Sequence, residues 1–337
     1  MNGYLQPVRL FQVVARDGTR LAAYESGLAN GPALVLCNGL GGNFGTWRPL
    51  AEHFASAWRI VSWDYRGLFG SGAPHDPEAY GIDRHCDDLE DVLAFADVDS
   101  AVFVGWSMGV QVAFEFYRRR PEAFRALVQI NGTHGRPFET AFRSGWMRSV
   151  APSMLAAMAH ASPLFATLGP LVVATRYPLA LAKIVGLASP TLDESVFLQL
   201  AREYVRLDFG AYSRIFRALG DHDTRDVLPT IAVPTLLITG EHDLFTPVEL
   251  SQRMADEIPG AELMVVRGGT HYTPIEYPMV VNLRIAKFLR ERLGTPRPEP
   301  PLRKTPDAPG TPAAPRKAKR KVTTTPRRRS APPAARA

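Results

Sequence analysis

Three residues of this 337-residue chain stand, in order, where acyl-transfer chemistry needs them: a serine, then an acid, then a histidine. Ser107 lies in Gly105-Trp106-Ser107-Met108-Gly109, after the apolar run Ala101 to Val104 and before the helix-compatible stretch Val110 to Phe114. A serine on such a strand-to-helix turn is held in a strained conformation, with Oγ raised above the sheet edge. Gly105 and Gly109 have no Cβ, so strand and helix can approach closely around the bend. The Met108 amide then opens the helix, where backbone N–H groups favour a developing oxyanion. A serine hydroxyl is a poor nucleophile near neutral pH and needs a base beside it, itself oriented by a carboxylate. The apolar run from Thr235 ends in Gly240-Glu241-His242-Asp243, which supplies acids just past a strand. Val265-Val266-Arg267-Gly268-Gly269-Thr270-His271 supplies a histidine just past the next.

These side chains meet only if the intervening chain folds into alternating strands and helices. Val8 to Ala15 and Arg20 to Ser26 read as a hairpin turning at Asp17-Gly18. Ala33 to Cys37 is a continuously apolar strand, as a buried parallel sheet requires. It runs into the glycine-rich loop Asn38 to Asn43, a helix over Thr46 to Ala55 and a strand over Arg59 to Trp63. A second glycine-punctuated loop follows, then an amphipathic helix over Asp83 to Ala96 with Leu89, Val92, Leu93 and Ala96 at helical spacing. Ala126 to Ile130 is the strand after the serine helix. This alternation predicts an α/β fold: a mostly parallel, doubly wound sheet with an N-terminal hairpin. Ligands of such sheets sit beyond the carboxyl ends of the strands, where the loops after Cys37, Trp63 and Trp106 converge.

The rhythm breaks over 133–223, a stretch of helix formers separated by Pro152, Pro163, Pro170, Pro178 and Pro190, and resumes over 224–293. The expected organisation is a core of 1–132 and 224–293 with an all-helical cap, 133–223, inserted between its halves. Residues 294–337 are Pro-, Ala- and Arg/Lys-rich with almost no large apolar side chains, and read as a disordered tail. Of the chain's 39 Lys/Arg and 33 Asp/Glu, twelve and two lie in this tail, so the first 293 residues carry a net charge of −4. Any attraction to polyanions, nucleic acid or an anionic membrane surface, is therefore expected of the tail alone. Neither a secretory leader nor an apolar run of membrane-spanning length is evident. Cys37 and Cys86 suggest no disulfide framework, so a reduced, cytoplasmic setting is the default expectation. Nothing has dinucleotide, Walker or metal-ligand spacing, and no cofactor is expected.

The order Ser107, Asp243, His271, together with Asp64-Tyr65-Arg66-Gly67 after the fourth strand, resembles the α/β-hydrolase fold family over about residues 8–293. The resemblance implies a serine esterase or lipase-like enzyme with a helical lid. In its G-x-x-D pattern the acid is the fourth residue, Asp243 rather than Glu241; Asp223 is the weaker competitor. It implies a second oxyanion donor at the Leu40 amide, although Asn38-Gly39 stands where many relatives have His-Gly. Val110 stands where a further glycine is frequent. A serine at the turn sets the chain apart from the dehalogenase and epoxide hydrolase branches, which use aspartate there. The expected reaction is cleavage of a carboxylic ester or related acyl substrate through an acyl-enzyme. Perhydrolysis, C–C bond hydrolysis and a hydrolase-like binding protein are the alternatives. Met147, Met154, Leu155, Met158, Leu164, Phe165, Leu168, Leu171, Val172 and Val173 give the cap an apolar character and suggest a lipophilic substrate. Among the other histidines, His53, His75, His85 and His160 are expected to be solvated or hydrogen-bonded, and His134 stands near enough to the cap entrance for a substrate contact.

Overall fold

A computed structural model of the chain describes residues 8–294, apart from 144, 161–166, 168–170, 172–174, 176, 185 and 193. Its sheet has eight strands: β1 (Arg9–Val14), β2 (Arg20–Gly27), β3 (Ala33–Cys37), β4 (Arg59–Trp63), β5 (Ala101–Trp106), β6 (Phe124–Ile130), β7 (Thr235–Gly240) and β8 (Glu262–Val266). They lie in the order β1-β2-β4-β3-β5-β6-β7-β8. The β1–β2 and β2–β4 pairings are antiparallel, and all others are parallel. β3, β5 and β7 are buried along their whole length, as parallel strands covered on both faces must be.

Helices supply that cover. α1 (Arg48–Phe54) and α9 (Pro278–Leu293) close one face through Leu50, Phe54, Ile285 and Phe288. On the other, α2 (Ile82–Phe95), α3 (Met108–Arg119) and α8 (Val248–Glu257) bury Leu89, Val92, Val112, Phe116 and Met254. From β3 the chain moves outward to β4, then returns across β3 to lay down β5. Ligands of open α/β sheets bind at such a reversal, outside the carboxyl ends of the strands. The Leu40 loop leaves β3 at that point, and Ser107 leaves β5.

The helix expected over Thr46 to Ala55 starts earlier, with a 3-10 turn, Phe44–Trp47, feeding α1. Asn43 caps this turn: its Oδ1 accepts from the Gly45 amide at 2.9 Å, and the Thr46 hydroxyl accepts from its own amide at 3.4 Å. Asparagine is among the best N-cap residues because its short side chain satisfies a free amide of the first turn.

Between β6 and β7 run four longer described helices: α4 (Trp146–His160), α5 (Tyr177–Ile184), α6 (Glu194–Tyr204) and α7 (Phe209–Asp221). The ends of this insert are tied to each other. Gly135 and Asp223 form an antiparallel bridge, the Arg136 amide donates to His222 O at 3.0 Å, and the Thr224 amide donates to His134 O at 2.9 Å. Ala211, Ile215 and Leu219, spaced one helical turn apart on α7, bury into the α2–α3 core. No helix among the described residues is long and apolar enough to cross a membrane. The tail from residue 295 lies outside the described residues.

Candidate active site

Ser107 adopts φ 54°, ψ −116°, a region that costs a side-chain-bearing residue about 1–3 kcal/mol. The turn is possible because of what flanks it. A Cβ at Gly109 would fall 2.0 Å from Cys37 O, and one at Gly105 would fall 2.6 Å from Gly109 O. Only glycine fits either position. The bulkier Val110 is matched by Gly132, where a Cβ would lie 2.1 Å from the valine Cγ2. Gly132, in the loop after β6, thus makes room for the Val110 side chain.

The loops after β7 and β8 bring Asp243 and His271 to this turn. His271 Nε2 lies 2.8 Å from Ser107 Oγ, and its Nδ1 lies 2.9 and 3.1 Å from the two Asp243 oxygens. In the tautomer this geometry favours, Nδ1–H donates to Asp243 and Nε2 accepts from the serine hydroxyl. Asp243 is only 2% exposed. It also accepts from the Phe245 and Thr246 amides at 2.8 and 2.9 Å, and from the Thr246 hydroxyl at 2.7 Å. Burial acts to raise its pKa, but the facing His271 and these donors outweigh it and hold the carboxyl below its ordinary value. With the folded value depressed, the ionised form contributes stability above the unfolded pKa of about 3.9. That contribution disappears as pH falls through the folded value. Asp243→Asn should therefore lose less stability than wild type between about pH 4 and the acid limit, as denaturant unfolding across that range would show.

Sequence reasoning missed Asn131. This residue directly follows β6 at φ 46°, a conformation asparagine tolerates better than most side chains. Its Nδ2 donates to Asp243 Oδ2 at 2.7 Å and to Thr270 O at 3.1 Å, joining the acid to the residue before the histidine. The Asn131-Gly132 pair following an apolar strand was the available signal, since both residues accept positive φ. A hydrogen bond to a charged group contributes about 1.5–3 kcal/mol. Asn131→Ala should therefore lower kcat by about 10- to 100-fold while KM changes little, measured by steady-state kinetics on the best substrate.

Opposite the serine, the Met108 amide opens α3 and the Leu40 amide belongs to the loop after β3. Neither donates to an acceptor among the described residues. Asn38 supports this loop in place of the more frequent histidine. Its Oδ1 accepts from Trp47 Nε1 at 2.7 Å, its Nδ2 donates to Trp63 O, and its own carbonyl accepts from the Tyr65 hydroxyl at 2.6 Å. The loop is thus anchored by the strand and helix behind it.

Ser107 and His271 open into a cavity of about 420 Å³. Its walls include Phe138, Phe142, Trp146, Tyr204, Tyr212 and Phe216 from the insert, with Phe245 from the acid loop. Of the cap residues expected to make it apolar, Met154 lines it, whereas Leu171 is 67% exposed. The side chains of Met147, Leu155, Met158, Leu164, Phe165, Leu168, Val172 and Val173 lie outside the described residues. The competing groups are engaged elsewhere. Asp223 Oδ1 lies 3.4 Å from His134 Nδ1 and its Oδ2 lies 3.1 Å from Arg136 Nε, which gives His134 a structural partner. His85, expected to be solvated or hydrogen-bonded, is not solvated: it is fully buried against the Tyr65 ring, and burial pushes its pKa down to about 3.

A profile of the α/β hydrolase fold family matches residues 32–278. A Rhizobium rhizogenes protein named as carbamate hydrolase RutD is 28% identical over 265 residues, covering 77% of this chain and 93% of its own length. Epoxide hydrolase 3 of Xenopus tropicalis is 26% identical, covering 82% and 76%. The solved structure of an esterase from Exiguobacterium antarcticum superposes with a TM-score of 0.68 at 19% identity, covering 83% of this chain and 98% of that one, a likeness of fold alone. By the profile match and by the sheet that carries its serine turn, the chain belongs to the α/β hydrolase fold family.

Proposed function

We propose that this hydrolase cleaves carboxylic esters with a lipophilic acyl or alcohol group, through a serine acyl-enzyme. The observation that carries the reading is the hydrogen-bonded chain Ser107–His271–Asp243 opening into an aromatic-walled cavity. Ser107 Oγ attacks the carbonyl carbon as its proton passes to His271 Nε2. Asp243 fixes the imidazole and stabilises its charged form. The tetrahedral oxyanion is held by the Leu40 and Met108 amides as its charge develops. Nε2–H then protonates the leaving alkoxide, and a water, deprotonated by the same imidazole, releases the acid. Every step is supplied by this chain's own residues and water.

A carbamate, the substrate in the name of the Rhizobium rhizogenes relative, passes through the same acyl chemistry and is the second reading. An apolar wall with few polar side chains favours a lipophilic ester over a small polar carbamate. Epoxide opening is disfavoured because a serine, not an aspartate, stands at the turn. A panel of p-nitrophenyl esters of increasing chain length, N-alkyl carbamates, an aliphatic epoxide and a β-diketone tests the reading. Turnover should be highest for the medium-chain esters. A preference for the β-diketone or the epoxide would contradict it.

A further inference from the structure

A second cavity of about 280 Å³ lies behind the oxyanion loop. Leu40, Tyr204 and Tyr272 line both it and the cavity over Ser107, so these three side chains are the partition between the two. The Tyr204 ring rests directly on the loop backbone: a Cβ at Gly41 would approach its Cε2 to 2.6 Å. The remaining walls are apolar, chiefly Trp106, Leu192, Leu200, Ala201, Val205 and Ile275. The Thr46 hydroxyl, the polar side chain here besides the tyrosines, already accepts from the Asn43 amide.

Both edges of this cavity are fastened to the catalytic core. Glu276, buried one helical turn beyond His271, accepts from the Ser189 amide at 2.6 Å, and from the Thr270 amide and hydroxyl at 2.9 and 2.7 Å. It thereby binds the segment leading to Leu192 to the histidine loop. At the other edge Asn43 Nδ2 donates to Glu203, the neighbour of Tyr204 at the end of α6. A pre-formed apolar space, smaller than the roughly 300–1,000 Å³ that holds a whole ligand, fits part of one.

We propose that this cavity is a second substrate subsite, which takes the distal end of a long aliphatic arm while the carbonyl lies at Ser107. The inference rests on the acyl-transfer reading for the position of the carbonyl. The arm passes over Leu40 and Tyr204, and its methylenes replace water against Leu192, Ala201 and Val205. With no charged side chain in its walls, the subsite selects for length and apolarity.

The test measures binding without turnover. Ser107→Ala protein is titrated calorimetrically with butyl, hexyl, octyl and decyl methyl ketones. Affinity should rise about fourfold for each methylene buried, through to the decyl ketone. Adding Ala201→Trp, which fills the cavity from α6, should stop that rise at a shorter arm and weaken the decyl ketone by about tenfold or more. Val205→Phe, a second filling substitution, should act in the same direction, so the test stands even where one variant folds poorly. Arg202→Trp, exposed on the same helix, should reproduce the parent series. An unchanged length dependence in both filled variants, or a flat series in the parent, would overturn the proposal. Failure of wild-type protein to hydrolyse any ester would instead overturn the ester reading, since the ketones report binding alone.

Discussion

Ser107→Ala is expected to lower kcat on the best ester by about 10⁴–10⁶ while leaving the thermal unfolding midpoint close to wild type. The size of the loss follows from the role of one atom. In the proposed mechanism Ser107 Oγ forms the covalent bond, and no other hydroxyl among the described residues lies on the His271 Nε2. The fold should survive because alanine meets the same backbone demand at φ 54° as serine does, and the glycines that shape the turn are untouched. The hydrogen bond given up contributes only about 1 kcal/mol to stability. Residual catalysis should come from the two oxyanion amides and from binding. Wild-type turnover by a clean preparation of the variant would remove Ser107 from the mechanism.

Removal of the base should be as damaging. His271→Ala is expected to cost about as much as loss of the serine, because the two act as one unit and their losses do not add. Asp243→Asn should lower kcat by about 10⁴, the size of effect that a wrong imidazole tautomer produces. An amide nitrogen in place of Oδ2 would confront the Asn131 donor and present a proton to His271 instead of accepting one. Activity should also fall toward acid pH, since a protonated imidazole cannot take the serine proton. Asp223→Asn should change kcat little, its carboxylate being held by His134 and Arg136 at the insert's bridge. Parallel kinetics on the three variants would check this. A larger loss from the Asp223 change than from the Asp243 change would assign the carboxylate role to the wrong residue.

Ser107, Asp243 and His271 could be read toward one another because each lies in the loop just past a short apolar run, and a parallel sheet sends all such run-ends to one edge; the choice of Asp243 over Glu241 came from the family resemblance. Strand alternation likewise announced the doubly wound sheet. Asn131 was not legible in the same way. Its contribution depends on a positive φ that turns the side chain across β7 toward Asp243, and no hydrophobic period encodes that. The cavity wall was legible only in part: Met154 lines it as expected, Leu171 does not, and the other eight expected side chains lie outside the described residues. The Met- and Leu-rich stretch is the most apolar part of the insert, yet Phe138, Phe142 and Phe216 line the cavity and Leu171 faces water. Composition shows which side chains avoid water, whereas the packing of α7 on the α2–α3 core decides which of them meet the serine. His85 shows the converse: a polar type in a polar-looking run, buried because its helix turns that face to the Tyr65 ring.

The most direct measurement of the central claim is the site of covalent attack by a fluorophosphonate. Intact-mass analysis of the wild-type protein after exposure should show a single adduct, and peptide mapping should place it on Ser107. His271→Ala should slow its formation by several orders of magnitude, because the serine then has no base to take its proton. An unmodified Ser107, or an adduct on another residue with Ser107 free, would contradict the account.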